Sequence, residues 1–401
     1  MAESLEILHV VGAVGRRAYG VGTVVRALVK SQRSLGSEVA IWSNDDPSEA
    51  ALIRQQEELS PRSLVTFPVI GPLRYSFSPA LERATASDAA GRFSVLHAHC
   101  VWPLCTRATM HWRARFKRPT LITPHGELDP FMLKKRSRIK KAMVGRLYVR
   151  KNLAQASCLH ALGENEVTAI RDFGLENPIA VIPNGVSQEW VESTGDADRF
   201  RDHFPLPTEK RALLYLSRVT PKKGLPLLFQ AISDLRQEMA DWVLMVAGPD
   251  EFGHVAGLKQ LANRLEIEHL VRFIGPIFGQ DRRDAFAAAD AFVLPTHGEG
   301  NPLVVLEAAG VGLPVLTTRA APCDYLEQHD SGWWTKVDVA SIREALRDTL
   351  HSSKARLVQM GERGSQHIRR SFMWSSIAEK TLLLYRWLLG QGDRPDFVVF
   401  D

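Results

Sequence analysis

Long apolar runs, abundant cysteine and repeated segments are all missing from this chain of 401 residues. No stretch approaches the roughly 18 apolar residues of a membrane-spanning helix, and the N-terminal segment MAESLEILHVVG, with an acid at Glu3, predicts a strand. The four cysteines show no CxxC spacing and suggest no disulfide framework; they are Cys100, Cys105, Cys158 and Cys323. We therefore expect a soluble protein of the reducing cytoplasm, peripheral to a membrane at most. The absence of low-complexity tracts argues against a disordered protein.

What the sequence does contain is an alternation of short apolar runs with amphipathic stretches from end to end. This pattern is typical of βαβ units around parallel sheets, and the length exceeds what a single core usually supports. The predicted strands are 5–11, 38–43, 94–99, 120–124, 158–162, 179–183, 212–217, 243–247, 271–274, 292–295 and 314–317. We predict an α/β protein of two Rossmann-like domains, residues 1–186 and 187–374, with parallel sheets facing each other across a cleft. A last helix, about 375–389, could cap either domain.

The stretch HGEGNPLVVLEAAG at 297–310 places Glu299 and Glu307 eight positions apart. Asn301 suits an N-cap and Pro302 the first helical position, so we predict a helix that begins there and ends near residue 310 or 312. Eight helical positions span roughly 12 Å, whereas an acid/base pair at one glycosidic bond needs about 5 to 10 Å. The spacing favours contacts to two ends of a long ligand, with the amides at the helix start as a phosphate site. A surface loop followed by a helix with an incidental glutamate is about equally compatible with this stretch alone.

Residues 216–224, LSRVTPKKG, predict a strand that runs into a basic turn. Arg218 offers a planar fork of donors, and Lys222 and Lys223 offer mobile point charges, so the turn could hold a diphosphate without a metal. Each charged hydrogen bond is worth about 1.5–3 kcal/mol. Taken alone, an ordinary basic turn is the simpler interpretation.

In combination these motifs resemble the retaining glycosyltransferases of family four, which have the GT-B fold and transfer sugars from nucleotide donors. The resemblance covers nearly the whole chain. It is carried by SRVTPKKG at 217–224, GEGNPLVVLEAAGVGLPVLTT at 298–318 and LITPHGELDP at 121–130, with support from residues 20–43 and 333–346. Family members often have EGFG where this chain has EGNP at 299–302.

The resemblance implies a role for several residues. Arg218 and Lys223 would neutralise the leaving diphosphate, Glu299 would lie near the donor sugar, and Glu307 would bind the ribose hydroxyls. His125 in TPHG matches the active-site histidine of the N-terminal domain, near the transferred sugar. The other implied contacts are Gly20 and Gly22, in a flexible loop after the first strand, and the start of the helix at Gly300, Asn301, Leu303 and Val304.

Neither a metal nor a cofactor other than the donor substrate is expected. The sequence has no obvious Asp-x-Asp motif, and a cationic site with a helix terminus can itself stabilise a leaving diphosphate. His97, His99 and Cys100 lie at the end of a predicted strand, but no second Cys/His cluster follows nearby to complete four ligands. Packing, or a place in the cleft lining, is therefore favoured over a zinc site.

Positive charge is concentrated between residues 134 and 151, although the net charge is only +5. On a helix, Ile139, Met143, Leu147 and Tyr148 would form one apolar stripe and the cations the remaining face. Such a surface gains about 1 kcal/mol per basic residue near anionic lipid, which would suit a membrane-bound acceptor. A solvated helix face explains the run equally well.

The leading hypothesis is a retaining hexosyltransferase that uses a UDP or GDP sugar. The acceptor would be a sugar or a polyprenyl-diphosphate-linked sugar, in polysaccharide or lipopolysaccharide assembly at the inner face of the cytoplasmic membrane. A nucleotide-sugar epimerase or hydrolase of the same fold is the first alternative. A basic protein that binds membranes or nucleic acid is the second, although Tyr148 alone interrupts the cations with an aromatic ring, so nucleic acid is not an expected partner.

Overall fold

The computed structural model describes residues 4–129, 141–192, 194–204, 206–207 and 209–400, without the side chains of Tyr19 and of residues 141–147. The chain divides into two compact units. The first unit combines Met1–Gly185 with Trp374–Asp401, and the second unit is Val186–Met373.

The strands, in chain order, are β1 Glu6–Val10, β2 Glu38–Ser43, β3 Leu64–Thr66, β4 Val95–His99, β5 Thr120–Thr123, β6 Cys158–Ala161, β7 Ile179–Val181, β8 Arg211–Leu216, β9 Trp242–Ala247, β10 Val271–Gly275, β11 Ala291–Leu294, β12 Val315–Thr318, β13 Gly332–Thr335 and β14 Val398–Val399. The helices are α1 Tyr19–Ser34, α2 Pro47–Gln56, α3 Pro79–Thr85, α4 Ala108–Phe116, α5 Lys141–Ala154, α6 Glu164–Asp172, α7 Gln188–Glu192, α8 Ala197–His203, α9 Leu225–Asp234, α10 His254–Arg264, α11 Gly279–Ala287, α12 Leu303–Gly310, α13 Tyr325–Gln328, α14 Val339–His351, α15 Lys354–Ser371 and α16 Trp374–Leu388.

The first unit is built on a sheet with the strand order β14-β7-β6-β5-β4-β1-β2-β3. All neighbours are parallel except β14, which pairs antiparallel with β7. The strands that lie between other strands are almost wholly buried, as expected for a parallel sheet covered on both faces. The chain leaves β1 towards β2 on one side and returns to β4 on the other, so the order reverses between β1 and β4. Helix α16 packs on α1, which places the end of the chain in this unit.

The second unit is built on a fully parallel sheet with the order β10-β9-β8-β11-β12-β13. Its order reverses between β8 and β11, because β9 and β10 extend one side and β12 and β13 the other. In open α/β sheets, ligands bind outside the carboxyl ends of the strands at such a reversal. A ligand of the second unit is therefore expected near the segments that follow β8 and β11.

The predicted α/β architecture with two parallel sheets is confirmed, and the observed strands lie within two residues of the predicted bounds. The sequence reasoning missed β3, β13 and β14. The predicted start of the helix after Glu299 is wrong by position: α12 begins at Leu303, and Pro302 occupies the cap position without a side-chain hydrogen bond. Asn301 therefore lies one residue before the cap and is not the N-cap.

Candidate active site

Two loops of the second unit meet where its strand order reverses. The turn Pro221–Lys223 follows β8, and the loop of residues 295–302 follows β11, which is the neighbour of β8. Backbone bonds hold the loops together: the His297 amide donates to the Lys222 carbonyl over 2.8 Å. Gly224 completes the contact with φ +73°, and a Cβ there would lie 1.7 Å from the Pro295 oxygen. Only glycine combines this backbone conformation with such a close approach.

Lys223 and Glu299 form an ion pair at this junction. Lys223 Nζ lies 2.5 Å from Glu299 Oε1, and the two side chains are only 11% and 12% exposed. The Thr296 hydroxyl lies 3.0 Å from the same carboxylate oxygen. Burial raises the pKa of Glu299, but the charges of Lys223 and Lys222 and the hydrogen bonds outweigh it, so the pKa lies below its ordinary value. The glutamate is therefore an anion at neutral pH, held in one position by two donors.

Glu307 lies in α12 and is held by a residue that the sequence reasoning did not identify. Arg282 of α11 faces its carboxylate with both terminal nitrogens: Nη1 lies 3.0 Å from Oε1, and Nη2 contacts Oε2. The Arg282 guanidinium lies over the Trp190 ring, 4.9 Å from its centroid, and Trp190 Nε1 donates to the Glu307 carbonyl over 3.3 Å. The carboxylate is thus oriented by a planar fork, which leaves further lone pairs for a ligand.

Arg218, just after β8, also has an acidic partner. Its Nη1 lies 2.6 Å from Glu251 Oε1, and its side chain is 41% exposed. The Tyr215 hydroxyl donates to the Arg218 carbonyl over 3.0 Å, which fixes the backbone there. Arg218 therefore belongs to the same sheet edge as Lys223, with part of its guanidinium open to solvent.

The segment predicted to bind the donor, Gly300, Asn301, Leu303 and Val304, lies at the start of α12. The amides of Val305 and Leu306 both reach the Pro302 carbonyl. Among the described residues, the amides of Leu303 and Val304 donate to no backbone carbonyl outside the helix, and both residues are partly exposed. These two amides face the end of the helix where the macrodipole favours an anion.

Gly20 and Gly22 do not lie in a flexible loop, so this expectation is wrong. Both belong to the first turn of α1. Gly22 is required there by packing, because a Cβ would lie 2.7 Å from the Val14 carbonyl oxygen. The actual loop after β1 is fastened by Asp45, whose carboxylate accepts the amides of Val14 and Gly15 over 2.8 and 3.0 Å. The binding role of the two glycines remains a prediction.

His125 follows β5 in the first unit with φ +55°, an uncommon value for a residue other than glycine. Its Nε2 lies 3.0 Å from His99 Nδ1, and burial lowers its pKa to about 3. Sequence reasoning expected no further histidine cluster near His97 and His99, but the structure brings His9 and His160 to them from β1 and β6. Register on neighbouring strands was the missing information, since His9 pairs directly with His97.

Ligand atoms of His9, His97 and His99 all lie within 4.8 Å of one another, a spacing that could hold a metal ion. Every ring nitrogen of the three is, however, within hydrogen-bond distance of another side chain; these side chains are Gln32, Tyr385, Thr123, His125 and the histidines themselves. A metal would have to break several of these bonds.

The basic run is only partly visible. Residues 130–140, including Ile139 of the predicted apolar stripe, lie outside the described residues, as do the side chains of Met143 and Leu147. Within the described part, Arg150 donates to the Gly174 carbonyl over 3.1 Å. No described helix combines the length and the apolar character needed to cross a membrane.

Comparison with known proteins gives family matches in both units. Residues 196–367 match the family model for glycosyl transferases group 1, and residues 19–185 match the glycosyl transferase 4-like domain. A D-inositol 3-phosphate glycosyltransferase of Streptomyces avermitilis is 25% identical over 92% of this chain and 83% of its own length. Another, from Kineococcus radiotolerans, is 30% identical over 52% of this chain, and the match spans about half (51%) of that relative.

Solved structures share the fold at low sequence identity. The sucrose-phosphate synthase of Thermosynechococcus elongatus has a TM-score of 0.77 and 20% identity, covering 96% of this chain and 100% of its own. HepE of Anabaena, solved with UDP and glucose, has a TM-score of 0.75 and 18% identity, covering 95% and 99%. Because the two family models together account for both units, the chain belongs to the glycosyl transferases of group 1 and is a glycosyltransferase of the GT-B fold.

Proposed function

We propose that this glycosyltransferase takes a sugar from a nucleoside-diphosphate donor with retention of configuration, and that the donor's diphosphate binds where the strand order of the second sheet reverses. The observation that carries the proposal is the convergence there of Lys223, Arg218, Glu299 and the start of α12. Cations and free amides suit a diphosphate, and an anion beside them suits the sugar whose charge becomes positive.

Lys223 can serve the leaving diphosphate without giving up its partner. An ammonium group has three donors, and the Glu299 carboxylate engages one of them over 2.5 Å. Arg218 carries the planar fork of a guanidinium, and its side chain is 41% exposed at the same sheet edge. We propose that these two cations neutralise the charge on the leaving group, so that no metal is required for that task.

The two glutamates would then have separate tasks. Glu307 would accept hydrogen bonds from the ribose hydroxyls through the lone pairs that Arg282 leaves open. Glu299, ionised and fixed by Lys223 and Thr296, would lie beside the sugar and stabilise the positive charge that develops as the bond to phosphate breaks. His125 would keep its implied contact with the transferred sugar.

For the donor we propose a uridine nucleotide first, with guanosine as the alternative, since HepE was solved with UDP. For the acceptor we propose a sugar or a polyprenyl-diphosphate-linked sugar, reached from the inner face of the membrane. A phosphorylated polyol is a second candidate, because relatives over most of the chain are D-inositol 3-phosphate glycosyltransferases.

The donor site can be tested by calorimetry with UDP, GDP and ADP on the wild type and on Lys223→Ala. Lys259→Ala is the matched control. Lys259 lies in the same unit, and its ammonium group lies over the Phe273 ring, 5.6 Å from the centroid. We expect one nucleotide to bind, to raise the melting temperature by mass action, and to bind more weakly to Lys223→Ala alone. Equal weakening in both variants, or no nucleotide binding, would refute the proposed site.

The reaction can be tested by incubating the cognate nucleotide sugar with each acceptor class and following the products by NMR. Retention predicts that the new bond keeps the anomeric configuration of the donor, and chelation of divalent ions should leave the rate unchanged. Sugar release or epimerisation as the main reaction in the presence of acceptor would favour the hydrolase or epimerase alternative.

A further inference from the structure

The first unit contains a single hydrogen-bonded chain that runs from a backbone carbonyl to His125. We call it the histidine chain. Its members are Ile182 (carbonyl), His160, Thr123, His97, Tyr385, Gln32, His9, His99 and His125. All its side chains except that of His125 are buried, and burial lowers the pKa of all five histidines. Each imidazole therefore carries one proton at neutral pH, so each has one donor and one acceptor nitrogen.

At one end of the histidine chain the direction of the hydrogen bond is fixed. The Ile182 carbonyl can only accept, so His160 Nε2, 2.7 Å away, must carry the proton. His160 Nδ1 is then an acceptor and takes the hydroxyl proton of Thr123 over 2.8 Å. Because the Thr123 hydroxyl has a single hydrogen, its oxygen must accept from His97 Nε2, which lies 2.7 Å away.

The donor and acceptor roles of Tyr385 and Gln32 follow in the same way. His97 Nδ1 is left as an acceptor and takes the Tyr385 hydroxyl proton over 2.7 Å; burial raises the pKa of this tyrosine, so the proton is present. The Tyr385 oxygen then accepts from the Gln32 amide nitrogen, 3.4 Å away. Gln32 therefore turns its carbonyl oxygen to His9 Nε2, at 2.9 Å, and that nitrogen must donate.

The last two hydrogen bonds fix the tautomer of His125. His9 Nδ1 is an acceptor and takes a proton from His99 Nε2 over 2.9 Å. His99 Nδ1 is then an acceptor and takes a proton from His125 Nε2 over 3.0 Å. Nothing among the described residues bonds to His125 Nδ1, and this nitrogen is left with an unshared lone pair.

The opposite direction fails at the buried end. If Gln32 were turned so that its nitrogen faced His9, each bond would reverse, and His160 Nε2 would present a lone pair to the Ile182 carbonyl at 2.7 Å. Two acceptors cannot share that distance, and a buried unsatisfied pair costs about 1–3 kcal/mol or more per group. With neutral imidazoles, only one direction satisfies every member.

We propose that the Ile182 carbonyl, acting through the histidine chain, holds His125 in the tautomer with its proton on Nε2, so that Nδ1 offers a lone pair to a ligand. The other side chains are positioning residues that act through His125. If the proposed function is right, Nδ1 accepts a hydrogen bond from a hydroxyl of the bound sugar and cannot serve there as an acid.

The tautomers can be read directly from the unliganded full chain. We propose long-range proton–nitrogen NMR at pH 7.5 on protein labelled with ¹⁵N-histidine, with each signal assigned by a single His→Gln variant. The expected result is that His9, His97, His99, His125 and His160 are all neutral with the proton on Nε2. A proton on Nδ1 of His125, a mixture of its tautomers or an imidazolium there would overturn the proposal.

Tyr385→Phe tests whether the hydrogen-bond direction set at the Ile182 carbonyl determines the tautomer of His125. It removes the hydroxyl between His97 and Gln32, so Gln32 can adopt either orientation and His125 should lose its single tautomer. Tyr148→Phe is the matched control, because its hydroxyl lies in the same unit, 3.4 Å from that of Thr106, outside the chain. An unchanged His125 signal in folded Tyr385→Phe would overturn the proposal.

If Tyr385→Phe does not fold, Thr123→Val interrupts the hydrogen bonds of the histidine chain at a second position. Its control is Thr109→Val, a buried threonine of the same unit that bonds to Asn152 over 2.7 Å. Mixed tautomers at His125 are expected only in the first. The purified wild type could instead hold one equivalent of tightly bound zinc, with loss of the Nε2 protons of His97 and His99. That result would overturn the proposal, because zinc would bind the same ring nitrogens that form the hydrogen bonds of the histidine chain.

Kinetic and binding measurements distinguish a failure of this inference from a failure of the proposed function. Tyr385→Phe should raise KM for the nucleotide sugar and leave UDP affinity unchanged, since UDP lacks the transferred sugar that His125 would contact. Absence of UDP binding in the wild type would defeat the donor assignment and leave the NMR result standing. An equal loss of UDP and UDP-sugar binding would overturn the link from the chain to the sugar.

Discussion

Acidification from pH 7 to pH 5 should destabilise the first unit far more than the second. The cause is the cluster of buried neutral histidines in the first unit. Burial lowers the pKa of His9 and His160 to about 4 and that of His125 to about 3, and it lowers the pKa of His97 and His99 well below 6.5. In the unfolded chain each would titrate near 6.5.

The sign follows from these pKa values. The folded state binds fewer protons than the unfolded state, so the free energy of unfolding is constant above about pH 7 and falls as the pH drops from 6.5 towards 4. For a pKa that changes from 6.5 to about 4, the loss between pH 7 and pH 5 is about 2 kcal/mol per histidine. The three histidines with pKa values of about 4, 4 and 3 together give about 6 kcal/mol, a large part of the roughly 5–15 kcal/mol of an ordinary domain.

Native-state hydrogen exchange, read by mass spectrometry, can measure this for each unit. Peptides from β1, β4 and β6 report on the first unit, and peptides from β8, β9 and β11 provide the internal reference. His160→Gln keeps a donor for the Ile182 carbonyl and removes one titrating group, so its loss between pH 7 and pH 5 should be smaller by about 2 kcal/mol, or roughly 30-fold in the opening equilibrium. The control is His111→Gln, a partly exposed histidine of the same unit whose side chain is 42% exposed and contacts Glu82.

Equal protection of the first-sheet peptides at pH 7 and pH 5 would refute the reasoning, as would a gain of protection on acidification. The same pH dependence in His160→Gln and the wild type would show that folding does not lower the pKa of this histidine.

Three further predictions concern the second unit. Arg282→Gln should weaken nucleotide binding by about 10- to 100-fold, the worth of a charged hydrogen bond that orients Glu307, whereas Arg283→Gln, which loses an exposed pair with Glu189, should not; calorimetry would show an equal effect if Glu307 has no role. Glu299→Ala should reduce turnover with little change in UDP affinity, and Glu307→Ala should do the reverse; matching losses in both constants would contradict the assigned roles. Gly224→Ala should lower the melting temperature much more than Gly253→Ala, because both have φ near +73° but only the first Cβ meets an atom within 4 Å; similar melting temperatures would show that the loop contact is dispensable.

Much of the fold could be predicted because the central strands are continuous apolar runs bounded by turns. The strands that escaped prediction lack that property. β3 and β14 have three and two residues, and β13 consists of partly exposed residues with two tryptophans. The start of α12 was misplaced because a proline in the cap position resembles a proline one residue into the helix, and only the backbone geometry separates the two.

For the site, local motifs placed Glu299 before the helix and Glu307 within it, but they could not supply the partners. Arg282 is 25 positions from Glu307, and Trp190 is 117 positions away. Contacts of this kind depend on which helices flank which strands, and that information is not local. The histidines differ in this respect, because His9, His97 and His160 all lie on predicted parallel strands, and correct strand order with register would have brought them together.

Three of the ion pairs in the second unit bear on the electrostatics of the proposed mechanism. In Lys223–Glu299, Arg218–Glu251 and Arg282–Glu307 each charged side chain is oriented by a partner of opposite sign. In the proposed mechanism, departure of the diphosphate would leave negative charge near Lys223 and positive charge on the sugar near Glu299, and these signs are complementary to the pair itself. A fixed dipole that matches the charge separation of the transition state needs no reorganisation during the reaction, which is the condition under which electrostatic stabilisation contributes most to rate. We therefore propose that the buried pair acts as a catalytic dipole more than as a stabilising contact, since buried ion pairs contribute little to stability on their own.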